Sequence, residues 1–438
     1  MEALNELGFG VAKSEGAVFF VRHAVPGDRI RAKVIKAAKN YYVARIDEIL
    51  APSPDRTEPD CPYFKRCGGC GFWNLNYEAE EEWKRRFVSD AFRRFGLFPE
   101  ILPVLSNGAA EAYRNKAQFP LTEIDGNTAF GFYSGKSHKV CPIKACRIQD
   151  PVFSQIALFA CAYFKDQHIS VYEEETGKGL VRHLYLRRAK STGEISLCLV
   201  LTKNEFPNPS GFLKEIQDRF PQIVSVSFNL NPKNTNVILG DKTVFLTERQ
   251  KIRDRLLEKV FFISPLSFYQ VNHDMAEILY QTAYQLAGLN ENSILIDLYC
   301  GIGTVSLSYP GKVKKIYGVE VIEEAVKDAR ENAKINGVQN AEFFCGDAGD
   351  LFQKIGVNEL KNTIVFVDPP RKGLSEKLIL DLIHKNIPKI VYISCNPETL
   401  ARDLKLFSEN GYHFSAVQPV DLFPRTGHVE TVVRLSRQ

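Results

Sequence analysis

The chain has 438 residues, 45% hydrophobic and 25% charged, with a formal net charge of +4. It is too long for one ordinary domain, its composition is that of a soluble globular protein, and no apolar run approaches the ~20 residues of a membrane span. The N-terminus lacks a charged-then-apolar leader, so a cytoplasmic location with no membrane partner is expected.

Residues 1–53 read as a small all-β unit, with alternating runs at 18–21, 29–35 and 41–49 separated by turn signals such as Pro26-Gly27-Asp28 and Lys39-Asn40. From Arg22 to Arg45 there are seven Lys/Arg and a single acid, Asp28, with Phe19, Phe20, Tyr41 and Tyr42 among them. Basic groups interleaved with aromatics suit a barrel that tracks an RNA backbone and stacks bases; a solvated charged surface would carry the same pattern. Pro52-Ser53-Pro54 then serves as a linker.

Ten cysteines in so long a chain do not make a disulfide scaffold. In a reducing compartment, clustered ones read as metal ligands or catalytic thiols. Cys61, Cys67 and Cys70, with Gly68 and Gly69 between, are such a cluster. Zinc prefers four N/S ligands, commonly as separated pairs, whereas an iron–sulfur cluster accepts a close triplet plus one distant thiolate. Cys141 and Cys146 are the candidates for that fourth ligand. Five residues between Cys61 and Cys67 argue against a radical-enzyme cluster.

Residues 77–95 have the period of an amphipathic helix with a solvated charged face. The stretch 111–262 alternates short β-like runs (130–132, 195–201, 223–229) with one helix at 211–219. Its basic clusters, at 114–116, 136–139 and 182–190, could floor a phosphate-binding surface.

From 263 onward strand and helix alternate, the signature of a doubly wound parallel sheet. The run Ile294-Leu295-Ile296-Asp297-Leu298 leads into Tyr299-Cys300-Gly301-Ile302-Gly303-Thr304, and a second strand ends at Glu320, 19 positions after Gly301. That spacing is close to the ~20 expected between a glycine turn and a ribose-binding acid. Ser306 stands where a dinucleotide fingerprint has its third glycine, which favours a cofactor without a pyrophosphate, such as S-adenosylmethionine. A later strand ends in Asp368-Pro369-Pro370-Arg371; two prolines there make a rigid rim. Asp368 could bind cofactor or base, or cap the helix at 375–384.

The run 390–394 then meets Cys395, Asn396 and Pro397, placing a cysteine between a strand and a helix start, where exposed amides would favour its thiolate. Glu430 falls in a strand-like run, where an acid is either an edge ion-pair partner or a base.

Cys61-x5-Cys67-x2-Cys70, Phe268-Tyr269-Gln270-Val271-Asn272, the 297–303 turn, Asp368-Pro369-Pro370-Arg371, Ser394-Cys395-Asn396-Pro397 and His428-Val429-Glu430 occur in one order. That order resembles the RNA uracil-5-methyltransferase family, in particular its iron–sulfur-containing ribosomal RNA branch. The resemblance implies an α/β architecture of three domains: a TRAM-like OB barrel (1–53), a central α+β RNA-binding domain with an iron–sulfur cluster (54–262) and a Rossmann-like methyltransferase domain (263–438). It further implies a 4Fe-4S cluster on Cys61, Cys67, Cys70 and Cys146, the last preferred over Cys141 because Ile148-Gln149 follows it. Gln270, Tyr299, Thr304, Glu320, Asp347 and Asp368 would contact S-adenosylmethionine or the base, with Phe268 stacking on the target uracil.

The expected reaction is methylation of C5 of a uridine, in 23S ribosomal RNA, with Cys395 as nucleophile at C6 and Glu430 as base. The target base would be flipped out of its stack. No obligate protein partner is evident. The alternatives are a transfer RNA enzyme, or a non-catalytic RNA-binding protein with a degenerate methyltransferase domain.

Overall fold

Turn chemistry organises the first sheet: Glu15 and Gly16, with φ of 50° and 78°, supply the positive-φ pair of a tight hairpin between β2 (Phe9–Ser14) and β3 (Ala17–Arg22). A computed structural model describes residues 1–135, 137–309, 311–351 and 360–437; Lys136 of the second basic cluster lies outside them. The chain divides into two compact units, Met1–Ala110 with Asp368–Gln438, and Glu111–Val367.

In the first unit, β1 (Ala3–Leu4), β2, β3, β4 (Arg29–Ala37) and β5 (Tyr42–Ala51) hydrogen-bond in the order β1-β2-β3-β5-β4. β3 and β5 run parallel, with Phe19 opposite Tyr42, and the small core is Val21, Ala24 and Ala44. Asp28 is buried and accepts from the amides of Val25 (2.7 Å) and Ser53 (2.9 Å) and from Arg56 Nε (2.9 Å), which ties the end of this segment back to its sheet.

Helix α1 (Tyr77–Arg94) starts at Asn76, whose side chain accepts from Ala79 N at 2.8 Å; Glu78 and Glu80 in its first turn and Arg93 and Arg94 in its last complement the helix dipole. The sequence pattern gives the helix a solvated charged face. Glu80 and Lys84 instead share the buried face with Trp83, Val88, Ala91 and Phe92.

The second unit opens with strands β6 (Lys116–Ile124), β7 (Asn127–Tyr133), β8 (Val140–Pro142), β9 (Val181–Arg188), β10 (Ile195–Leu201), β11 (Ile223–Leu230) and β12 (Lys242–Phe245), ordered β12-β11-β10-β9-β6-β7-β8. Helix α2 (Pro151–Asp166), capped by Asp150, has no counterpart in the sequence reading. Helix α3 (Pro209–Arg219) links the parallel pair β10 and β11. A hairpin, β13 (Ile252–Leu256) and β14 (Lys259–Ile263), precedes α4 (His273–Ala287).

Then β15 (Ile294–Leu298), α5 (Thr304–Leu307), β16 (Lys315–Glu320), α6 (Glu323–Ile335), β17 (Ala341–Cys345) and β18 (Thr363–Val367) form parallel strands in the order β17-β16-β15-β18. β15 and β18 are buried along their whole length, as strands of a sheet covered on both faces must be.

Back in the first unit come α7 (Glu376–His384), β19 (Lys389–Ser394), α8 (Pro397–Glu409), β20 (Tyr412–Phe414), β21 (Gln418–Val420) and β22 (Glu430–Arg437). β22 is antiparallel to each of β19, β20 and β21. No helix among the described residues is long and apolar enough to cross a membrane.

Candidate active site

The register of β19 and β22 brings candidate reactive residues to one strand end. Ser394, the last residue of β19, lies opposite Thr431, whose Oγ1 donates to the Ser394 carbonyl at 3.1 Å. Cys395 follows directly on Ser394, and Glu430 directly precedes Thr431 at the start of β22, so the two lie at the same end of the paired strands. Burial, then the charges of Glu430 and Asp368, push the Cys395 thiol up to about 12 against the pull of Arg371. Glu430 is only 3% exposed, and burial followed by the Asp368 charge pushes its carboxyl up to about 8, with Arg371 again opposing.

Both groups therefore hold their protons more tightly than they would in water. The thiolate expected from the sequence is not the resting form. Asn396 caps α8 and already accepts from Glu398 N at 3.0 Å. Burial and two carboxylates outweigh the helix-end amides.

Arg371 is held at this centre through its backbone: its carbonyl accepts from Asn396 Nδ2 at 3.1 Å and from Thr399 Oγ1 at 3.2 Å, while its guanidinium reaches His428 Nε2 at 3.3 Å. Asp368 is half-buried. The cap of α7 is Ser375, not Asp368. Cys395, Arg371 and His428 line a cleft of about 530 Å³, the volume of a small-molecule site, together with Asn5 and Glu6. Asn5 and Glu6 were not legible as site residues, because nothing local in the sequence links them to Cys395.

In the second unit, Tyr299, Gly301 and Gly303 all have positive φ (77°, 54° and 83°). For tyrosine that conformation costs of order 1–3 kcal/mol and is typical of ligand turns. A Cβ on Gly301 would meet no atom within 4 Å, so the turn presents open backbone. Glu320, at the end of β16, accepts from Gly301 N at 3.3 Å and Ile322 N at 3.0 Å. Asp297 is buried, accepts from Ser306 N at 3.2 Å, and is pushed up to about 7 by burial with the Glu320 charge adding to it. It braces the turn, a role the sequence reading did not give it.

Thr304 Oγ1 lies 3.4 Å from the Tyr280 hydroxyl. Asp347, just beyond β17, is exposed and accepts from Gly349 N at 2.9 Å. The loop before α4 is clamped at Ser267, whose carbonyl accepts from Arg187 Nη2 at 2.9 Å, at Tyr269, whose hydroxyl donates to Asp254 at 3.2 Å, and at the Gln270 carbonyl, which accepts from Asn115 Nδ2 at 2.9 Å. Gln270 is buried, whereas Phe268 is 63% exposed, an aromatic face presented on a fixed loop.

Cys61, Cys67 and Cys70 are half-buried in the first unit; half-buried Cys146 and buried Cys141 belong to the second. The 61–70 loop is tightly turned, with Cys67 N donating to the Tyr63 carbonyl at 2.7 Å and Gly69 N to Cys67 Sγ at 3.4 Å. The donor types suit a thiolate-bound metal. Their arrangement does not yet form a cage: among the described residues no three His, Cys, Asp or Glu side chains are gathered as a metal site.

A family model described as tRNA (uracil-5-)-methyltransferase matches residues 77–438. Uncharacterized RNA methyltransferases of Halalkalibacterium halodurans and Bacillus cereus are 39% and 40% identical, over 99% and 100% of this chain and 95% of each relative. The crystal structure of Pyrococcus abyssi tRNA (uracil-54, C5)-methyltransferase in complex with S-adenosyl-L-homocysteine is similar at a TM-score of 0.79 and 28% identity, over 99% of this chain and 98% of that one. The chain belongs to the tRNA (uracil-5-)-methyltransferase family and is an RNA methyltransferase.

Proposed function

We propose that the protein methylates C5 of a specific uridine in 23S ribosomal RNA through a covalent Cys395–uracil intermediate. The observation that carries the reading is the pairing of Ser394 with Thr431, which brings Cys395 and Glu430 to the same strand end, close enough for the Glu430 charge to act on the thiol. Bound S-adenosylmethionine supplies an electrophilic methyl group. The Cys395 thiol loses its proton to solvent as Sγ bonds to C6, the C5–C6 π electrons move towards O4, and C5 of the resulting enolate takes the methyl as the methyl's bond to the cofactor sulfur breaks. Glu430, in its carboxylate form, then takes the C5 proton, the C5–C6 double bond re-forms, and the sulfur leaves. Arg371 opposes the negative charge that accumulates around the thiol.

The turn at 299–303 fits an adenosyl cofactor, since it joins open backbone to a fixed carboxylate. Tyr299, Thr304, Glu320, Asp347 and Gln270 would hold it. Asp368 would meet the base and Phe268 would stack on it. The sheet of residues 1–53 supports a TRAM-like role: Arg29, Arg31 and Lys33 are exposed on β4, and Phe19 stacks on Tyr42 at 5.1 Å beside an edge-on Phe20–Tyr41 pair at 5.4 Å. In this scheme 54–262 grips the flanking strand and 263–438 performs the transfer. The site of action would be the cytoplasm.

A 4Fe-4S cluster on Cys61, Cys67, Cys70 and Cys146 belongs to the same proposal as a structural group, with no step routed through it. Anaerobic reconstitution is expected to load about four irons per chain, as a thiolate-bound cluster requires, and Cys67→Ser to lose them. Retention of a single zinc instead would remove the cluster from the scheme.

Transfer RNA is the second reading, favoured by the likeness to the Pyrococcus abyssi enzyme. Mapping 5-methyluridine in RNA from cells with and without the gene decides between them. One 23S position is expected to lose its methyl group; loss confined to transfer RNA selects the second reading, and no loss in either RNA overturns both.

A further inference from the structure

Helix α1 carries an ion pair that the methyl-transfer scheme leaves unused. Glu80 and Lys84, one turn apart, have side chains with no exposure at all. Lys84 Nζ donates to Glu80 Oε1 at 2.7 Å, to Asp421 Oδ1 at 2.8 Å and to the Phe423 carbonyl at 3.2 Å. The Tyr77 hydroxyl donates to the other oxygen of Asp421 at 2.9 Å.

Arg425 completes the set. Its backbone N donates to Glu80 Oε1 at 2.6 Å, and its Nη1 donates to the Leu75 carbonyl at 3.0 Å. Its guanidinium lies over the rings of Trp73 and Tyr77, 5.0 and 5.4 Å from their centroids. Its own φ is 67°, unusual outside glycine, and its carbonyl accepts from the amides of Gly71 and Phe72 at 3.0 and 3.2 Å. Two residues on, a Cβ at Gly427 would fall 2.0 Å from the Glu6 carbonyl oxygen, so the backbones touch there.

Apart from the Lys84–Glu80 contact within α1, these fixings act on the 421–427 stretch, and the next strand begins with Glu430. A buried ion set is a weak source of stability, because desolvating each charge costs several kcal/mol that apolar replacements would not incur. What such a set does supply is a single geometry. At the other end of α1 the Arg94–Glu398 pair is about half exposed on both sides and contributes little. The charges that act on Glu430 are those of Asp368 and Arg371, and its own charge acts on Cys395. The α1 network therefore bears on Glu430 through backbone position and not through its field.

We infer that Tyr77, Glu80, Lys84 and Asp421 are positioning residues that hold the segment leading into Glu430, so that its carboxylate reaches the C5 proton of the methylated adduct. This inference rests on the proposed covalent mechanism. It predicts a defect confined to one step: addition and methyl transfer proceed, but proton removal from C5 and expulsion of the sulfur are slow.

The test uses the full chain with two RNAs, one ordinary and one carrying 5-fluorouracil at the target. Fluorine replaces the proton that Glu430 removes, so trapping on that RNA reports addition and methyl transfer alone. The triple variant K84M/E80Q/D421N keeps shape while removing charge, and Tyr77→Phe is the milder probe should the triple variant fail to fold.

The triple variant is expected to trap fluorinated RNA at the wild-type rate, to turn over ordinary RNA about tenfold or more slowly, and to accumulate a covalent complex with it. Tyr77→Phe should show the same pattern at about two- to fivefold. Wild-type turnover in the triple variant, or in Tyr77→Phe if that alone folds, overturns the inference. So does a proportional fall in trapping and turnover, the mark of general loosening. If the unaltered protein traps no fluorinated RNA of a sequence it methylates, the covalent mechanism fails and the inference with it.

Discussion

Serine in place of Cys395 is expected to lower methyl transfer by about 10⁴-fold or more, the scale on which loss of an enzymic nucleophile is felt. Uracil C5 is a poor nucleophile until an atom has added at C6, so without the sulfur there is no enolate. A serine hydroxyl is far harder to deprotonate than a thiol, and the two flanking carboxylates that push Cys395 up to about 12 would disfavour an alkoxide still more. The exchange is nearly isosteric in a half-buried position, so folding should change by less than about 1 kcal/mol. Methyl incorporation and trapping on 5-fluorouracil RNA should vanish together, with cofactor affinity intact. Incorporation within tenfold of wild type would falsify the covalent scheme. The same raised proton affinity makes Cys395 slow to react with iodoacetamide in the unliganded protein and faster as pH rises.

What the sequence disclosed follows from what is local. Strands buried on both faces read as unbroken apolar runs, which is why 294–298, 195–201 and 390–394 fall on β15, β10 and β19. Proline and glycine punctuation located the rim at Asp368 and the turn at Gly301 for equally local reasons. Helix α2 was missed because it is apolar on most of its surface: Phe153, Ile156, Ala160, Tyr163 and Phe164 are all buried, leaving little polar face to mark a helical period.

The charged face of α1 was misread for the opposite reason. Glu80 and Lys84 look solvated until Asp421 and Arg425, more than three hundred positions away, are folded onto them. The resting state of Cys395 was misjudged likewise. The helix end beside it is written locally, whereas its burial and the charges of Asp368 and Glu430 arise only in the fold.

Glutamine at position 430 is the complementary experiment, expected to lower turnover by about 10²–10⁴-fold, the contribution of a positioned base. Unlike the serine variant, it should not prevent bond formation. C5 would be methylated and the ring left attached to Cys395, so a covalent protein–RNA complex should accumulate on ordinary RNA and be seen as a shifted band after denaturation. Stability should move the other way. The Glu430 carboxyl lies near 8 in the fold against an ordinary 4.5. The folded protein therefore keeps a proton that the unfolded chain has released above about 4.5, and the stability this gives is full below that pH and lost as pH rises through about 8. Glutamine cannot ionise, so the variant's melting temperature should exceed that of the wild type by a margin that widens across this window. Wild-type turnover should rise through the same limb as the carboxylate forms, with Asp368 holding the limb high and Arg371 drawing it down. A profile that falls between pH 7 and 9 while RNA stays bound, or a glutamine variant that turns over without the adduct, would assign proton removal to another group.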